Sequence, residues 1–134
     1  YGKKLIRNTK NVIKIYGLKN CDKCRSALKW FEKQSINYQF YDLRKDGLVK
    51  EIIQYWVDVI GWDALINKRS NTWRMLSNEV KVEIDSANAN AVSHIVEKPT
   101  LIKRPIILVN EKVMVGFKEQ QRQELIYINA NTIN

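Results

Sequence analysis

The chain has 134 residues, 45% of them apolar and 28% charged, and a formal net charge of +9. Such a length and composition suit one globular domain around a single hydrophobic core and do not suit a disordered or fibrous chain. No run of eighteen apolar residues is present, which excludes a membrane-spanning helix, and no internal repeat is visible. Residues 1–11, YGKKLIRNTKN, are basic, and their only apolar pair, Leu5-Ile6, is too short for the core of a secretory leader. They are set apart as an N-terminal extension of a single domain over 12–134. Val12 to Tyr16 (VIKIY) opens with two β-branched residues and partly alternates, which predicts a strand. Gly17-Leu18-Lys19-Asn20 makes a loop. From Asp22 the pattern turns helical, with Ala27, Leu28, Trp30 and Phe31 on one broad face and an end near Gln34-Ser35. Ile36 to Tyr41 (INYQFY) alternates again and predicts a second strand. After Gly47, helical spacing runs from Leu48 through Ile52 to Val59 and stops at Gly61. A short, irregular helix is expected within Asp63–Leu76, and a long one from Asn78 to Val96, closed by Pro99. Ile106 to Val109 reads as a strand, Asn110-Glu111 as a tight turn, Lys112 to Val115 as its hairpin partner, and Lys118 to Ile128 as a last helix.

The order is therefore β-α-β, a helical block, then β-β-α. The first β-α-β crossover joins parallel strands. No linker marks the block off, so it reads as an insertion at about 48–98 within one domain. Only two cysteines occur, three residues apart. A domain stapled by disulfides carries more at wider spacings, so a reducing, cytoplasmic compartment is expected. The positive charge is spread from Lys3 to Lys118 without a dense block, and no nucleic-acid-binding motif accompanies it. Direct nucleic-acid binding is not expected; an acidic small molecule or protein surface remains compatible with the charge.

The chemistry concentrates at Cys21-Asp22-Lys23-Cys24, between the first strand and the first helix. A thiolate, not a thiol, is the nucleophile, and a helix N-terminus favours it through unpaired backbone N–H groups and the helix dipole. Lys19, Lys23 and Arg25 are expected to add positive charge near Cys21. Cys24 falls on the same helical face and has three readings: a resolving thiol that closes a disulfide with Cys21, an inert core residue beside a lone reactive Cys21, or one of two inert buried cysteines. Half of a zinc site is a further reading, but His94 is the only good extra ligand, so no metal is expected. His94 itself reads as structural or surface. Trp30, Trp56, Trp62 and Trp73 read as core aromatics. Arg104-Pro105 precedes the third strand; its peptide bond is a candidate cis bond, and Arg104 is either a surface residue or an anion clamp.

The segments KNCDKCRSALKWF, DGL, GWDALINKRSNTWRML, PTLIKRPIILV and VGF resemble the arsenate-reductase-like branch of the thioredoxin superfamily, over Val12 to about Phe117. That branch holds glutaredoxin-coupled arsenate reductases, Spx-type redox regulators and YffB-type proteins, and the GW…LIN.R..TWR segment most resembles the YffB type. The resemblance implies an α/β, thioredoxin-like fold with a mixed four-stranded sheet and a helical insertion. It implies that Cys21 is the nucleophile, that Arg69 and Arg104 bind an oxyanion or carboxylate, and that Pro105 is the cis-proline beside the site; Asn20 joins the substrate-binding candidates. An arginine fork holds two oxygens of such a group. Arsenate reductases carry a third arginine near the last strand, where this chain reads Val115-Gly116-Phe117. The expected function is thus a thiol reductase linked to glutathione or glutaredoxin, with glutathione as co-substrate. The alternatives are a Spx-like regulator that binds RNA polymerase and a true arsenate reductase.

Overall fold

The structure, a computed structural model, describes residues 12–132; the expected extension over 1–11 lies outside them. In chain order the elements are β1 (Ile13–Gly17), α1 (Asp22–Lys33), β2 (Tyr38–Asp42), α2 (Lys50–Ile60), α3 (Trp62–Leu65), α4 (Asn71–Arg74), α5 (Asn78–Asp85), α6 (Ala91–Glu97), a 3-10 turn (Pro99–Leu101), β3 (Ile106–Val109), β4 (Lys112–Val115) and α7 (Glu119–Thr132). They fall into two compact units, one of residues up to Tyr41 with Arg104 onward, the other Asp42–Lys103. The insertion expected at 48–98 lies within the second. No helix of the described residues is long and apolar enough to cross a membrane.

The first unit carries a four-stranded sheet in the order β2-β1-β3-β4. β3 runs antiparallel to β1, with Ile13 opposite Val109 and Ile15 opposite Ile107, and antiparallel to β4, with Ile107 opposite Met114. This is the expected α/β, thioredoxin-like fold with a mixed sheet. Ile13 and Ile15 point inward while Lys14 between them is exposed, as the two-residue period of a strand requires. Cys24, Ala27 and Phe31, spaced three and four apart, form the buried stripe of α1. Phe31 sits among Trp30, Tyr38 and Phe117, with ring centroids 5.3, 5.6 and 6.2 Å away. The core is completed by Ile36, Ile107, Val109, Met114 and Leu125.

Helix α1 ends in a reciprocal turn: Ser35 N–H donates to Glu32 O at 3.1 Å and Ile36 N–H to Phe31 O at 3.0 Å. These are the two bonds of a Schellman motif, whose left-handed residue is usually glycine. Here it is Ser35, at φ +56°. Ile36 then turns inward and joins Phe31 in the core.

In the second unit α2 packs on α6 and contributes Ile53 and Trp56, both without exposed surface. Leu65, Ile66, Leu101 and Ile102 are buried around an isolated antiparallel bridge between Ile66 and Ile102. Asn67 N–H donates to Leu101 O at 2.7 Å and Lys103 N–H to Leu65 O at 2.8 Å on either side of it. This bridge also divides the irregular helix expected within 63–76 into α3 and α4.

The single long helix expected from Asn78 to Val96 is instead two, α5 and α6, broken over Ser86–Asn90. The cause is a second Schellman turn: Ala87 N–H donates to Ile84 O at 3.0 Å and Asn88 N–H to Glu83 O at 3.1 Å. Ala87 takes φ +53° there. Alanine is the strongest helix former, so the residue at the break carries no stop signal.

Candidate functional site

The N-terminus of α1 follows directly from the end of β1. Cys21 is its N-cap, with extended backbone (φ −105°, ψ 123°) and half-buried side chain. The turn is closed by Cys21 N–H to Leu18 O at 3.3 Å, and the helix begins with Arg25 N–H to Cys21 O at 2.9 Å. No conventional side-chain cap closes this end. Burial alone would push the Cys21 thiol up. It is outweighed by hydrogen bonds from the Cys24 backbone N–H, the Cys24 thiol and the Arg104 guanidinium, and by the charge of Arg104, and Cys21 titrates below its ordinary value.

The positive charge at Cys21 therefore comes from Arg104, at the far end of the sequence. Among the expected contributors, Arg25 is engaged elsewhere: its guanidinium pairs with Asp22 and donates to Lys19 O at 3.1 Å. That contact ties the loop of Gly17-Leu18-Lys19-Asn20 to α1. Lys19 and Asn20 are exposed at its tip.

Cys24 is fully buried, and its thiol moves the opposite way. Burial is the main cause; the neighbouring Cys21 adds to it, while the Leu18 backbone N–H and Arg104 oppose it without prevailing. The sulfur lies against Gly17. A Cβ on Gly17 would overlap Cys24 Sγ and come within 3.3 Å of its Cβ and 3.5 Å of Phe40 Cε1. Gly17 was legible only as a loop residue. A glycine closing a strand marks a close approach of another group, and here that group is a sulfur.

Arg104 is half-buried, Pro105 buried, and the peptide between them is cis. Pro105 O accepts from Gly116 N–H at 2.8 Å. Where a third arginine would be expected, Phe117 packs against Trp30 at 5.2 Å, with the Arg122 guanidinium 4.8 Å from its ring. The first unit thus gathers Cys21, Cys24, Arg104 and Pro105. Arg69 belongs to the second unit, where it is exposed and its backbone N–H donates to Asn67 Oδ1 at 3.0 Å.

His94 is structural: its Nε2 lies 3.0 Å from Glu83 Oε1. Asn90 and Asn88 donate to the other oxygen of Glu83 at 2.6 and 3.3 Å, so this carboxylate binds the α5–α6 turn together. Trp56 is a core residue. Trp73 is only partly buried, with the Lys68 and Lys81 ammonium groups 5.3 and 5.9 Å from its ring. Among the described residues, no group of three or more His, Cys, Asp or Glu is arranged to hold a metal ion.

The profile of the ArsC family matches residues 16–125, from the end of β1 into α7. The chain belongs to the ArsC family. This ArsC-family protein is 45% identical over 112 residues to an uncharacterised protein of Haemophilus influenzae, a match covering 84% of this chain and 96% of that one. It is 30% identical over 115 residues to a protein of Listeria innocua named global transcriptional regulator Spx, covering 82% of this chain and 83% of that one. Among solved structures, one named YffB superposes with a TM-score of 0.77 at 28% identity, covering 84% of this chain and 96% of that one. Membership of the ArsC family, together with the Cys21 thiol, supports a thiol-based redox function.

Proposed function

We propose that this ArsC-family protein is a thiol reductase linked to glutathione or glutaredoxin, with Cys21 as its nucleophile. One observation carries the proposal: Cys21 is the N-cap of α1, directly after β1, and hydrogen bonds from Cys24 and Arg104 there favour its thiolate. In the first step the Cys21 thiolate attacks the glutathione sulfur of a mixed disulfide. A new S–S bond joins Cys21 to glutathione, the old S–S bond breaks, and the substrate leaves as a thiolate that takes a proton from water. In the second step a thiolate of glutathione, or of glutaredoxin, attacks that glutathione sulfur and releases the Cys21 thiolate. Each turnover consumes one free thiol: the incoming thiol ends in a disulfide with the glutathione taken from the substrate, so one disulfide replaces another and the substrate thiol is released. Glutathione is thus co-substrate, and a reducing, cytoplasmic compartment suits the cycle.

Arg104 is assigned the carboxylate of the incoming glutathione as well as the thiolate, and Asn20 and Pro105 flank that site. Arg69 is assigned an anion-binding task by family resemblance, which Arg69→Ala tests separately. The decisive measurement is reduction of a glutathione mixed disulfide by wild type and by Cys21→Ser. Turnover by wild type alone is expected; equal rates in both would end the proposal.

A second reading is a redox-responsive regulator that contacts RNA polymerase. It is favoured by the 30% identity to the Listeria innocua protein named Spx and by the presence of two thiols at one helix end. A pull-down against the C-terminal domain of the polymerase α subunit, with reduced and oxidised protein, tests it. No capture in either state would remove it.

A further inference from the structure

We propose that the α4–α5 surface of the second unit docks an acidic protein segment, with Met75 taking an apolar side chain of the partner and Arg74 and Lys81 taking its carboxylates. The proposal does not draw on the reading of Cys21, and every residue it uses lies within one unit.

The surface is held by its backbone. Ser70 caps α4: its Oγ accepts from Trp73 N–H at 3.1 Å and donates to Asn67 O at 2.8 Å. The hydroxyls of Thr72 and Thr100 meet at 2.6 Å and fix α4 to the 3-10 turn. Ser77 caps α5 by accepting from Val80 N–H at 3.2 Å. Between the two caps Leu76 is 8% exposed and Met75 85%. Leu76 turns into the core, and its neighbour is thereby held in water. Val82, on α5, is exposed as well. Trp73 is partly buried, and its ring carries the ammonium groups of Lys68 and Lys81. The negative face of the ring attracts them, while the lysine stems lie along apolar surface and the heads stay in water.

The residue types and the charge select the partner. Tryptophan, arginine and methionine are enriched in protein interfaces, and here they are consecutive, as Trp73-Arg74-Met75. From 68 to 82 the basic residues are Lys68, Arg69, Arg74 and Lys81, against Glu79 alone. Lys68 is paired with Asp85. Among the described residues no carboxylate pairs with Arg74 or Lys81. Arg74 donates to Asn71 Oδ1 at 3.2 Å, a neutral group that leaves its charge uncompensated. Such a surface repels basic partners and attracts acidic ones. Nucleic acid is disfavoured: single strands stack their bases on open aromatic faces, and the Trp73 ring is already occupied by ammonium groups. Because the caps hold the surface in place, little ordering cost is left to the moment of binding.

The test uses the full chain and two synthetic peptides of equal length and charge, one of glutamate and leucine, the other of glutamate and serine, with an oligothymidine of equal length beside them. Binding is followed by fluorescence anisotropy and located by amide chemical shifts. Circular dichroism establishes that Met75→Ser, Lys81→Glu and Arg74→Glu are folded; Arg74→Glu serves as the charge reversal should Lys81→Glu fail to fold. The expected result is that the glutamate–leucine peptide binds about tenfold more tightly than the glutamate–serine peptide, with shifts centred on α4 and α5. Met75→Ser should remove that preference, and either charge reversal should weaken both peptides by about tenfold. Equal binding of the two peptides to wild type would overturn the proposal. So would tighter binding of the oligothymidine, shifts confined to other elements, unchanged affinity in the variants, or no binding of the glutamate–leucine peptide at millimolar concentration.

Discussion

Arg104 does for Cys21 what the nearer basic residues do not. Lys19, Lys23 and Arg25 are adjacent in sequence, yet Arg25 is engaged with Asp22 and the Lys19 carbonyl, whereas the Arg104 guanidinium bonds to the sulfur. Arg104→Ala is expected to move the Cys21 titration up and to lower kcat/KM for glutathione mixed disulfides by roughly tenfold to a hundredfold, the range for a hydrogen bond to a charged group. Steady-state kinetics and the pH profile of alkylation check both parts. The sign of the pH effect follows from the direction of the shift. Cys21 titrates below its unfolded value, so its thiolate favours the folded state; that contribution is fully present above the ordinary thiol range and is lost as pH falls through the lowered value. Wild-type reactivity should therefore persist below pH ~8.5, where an ordinary cysteine is protonated. The position of Cys21 between a strand and a helix was legible in the sequence, since alternation stops just before it and helical spacing starts just after it. The role of Arg104 depends on a contact between distant segments, which spacing does not encode, and that of Gly17 on how closely the Cys24 sulfur approaches the end of β1; the family resemblance pointed to Arg104.

At the scale of elements, α1 and α5 both end on left-handed residues that are not glycine, Ser35 and Ala87. An L-residue pays about 1–2 kcal/mol in that conformation, and glycine gives back about 0.4–1 kcal/mol through the freer unfolded chain. Ser35→Gly and Ala87→Gly should each therefore stabilise by roughly 0.5–1 kcal/mol, measured by urea denaturation. A loss of stability in either would show that the side chain has a role the turn alone does not explain. The opposite effect is expected at Phe31, which has no exposed surface and is surrounded by three aromatic rings. Phe31→Ala should destabilise by about 3–5 kcal/mol, again by denaturation. The α5–α6 turn adds a pH response. Hydrogen bonds from Asn90, His94 and Asn88 hold the Glu83 carboxyl below its ordinary value, so its contribution to stability is present above the usual carboxylate range and lost as pH falls through the lowered value. Glu83→Ala should lower the Tm at pH 7 and converge with wild type in acid. The strands, the hairpin and α1 were legible because alternation, Asn-Glu turn chemistry and a three-and-four spacing all agree. The break between α5 and α6 was hidden because Ala87 has the local preference of a helix interior and yields to the turn around it.

On the scale of the whole molecule, the net charge of +9 is spread along the chain. Association with an anionic thiol substrate or an acidic redox partner should weaken with salt, since exposed charges are screened over about 10 Å at 0.1 M ionic strength. The expected signature is a KM that rises with sodium chloride while kcat holds, read from steady-state kinetics. The sequence reads as one domain with a helical block at about 48–98, whereas the second compact unit spans Asp42–Lys103; the Ile66–Ile102 bridge within it pairs residues with no local strand pattern. The sheet register has a further consequence, in time rather than space. Across to β3, Ile13 and Ile15 lie opposite Val109 and Ile107, and Arg104 lies just before that strand. A ribosome delivers the cysteine pair early and the arginine late. While the chain emerges, Cys21 therefore lacks the guanidinium hydrogen bond that helps to favour its thiolate, and it gains that contact only after the segment before β3 has been made.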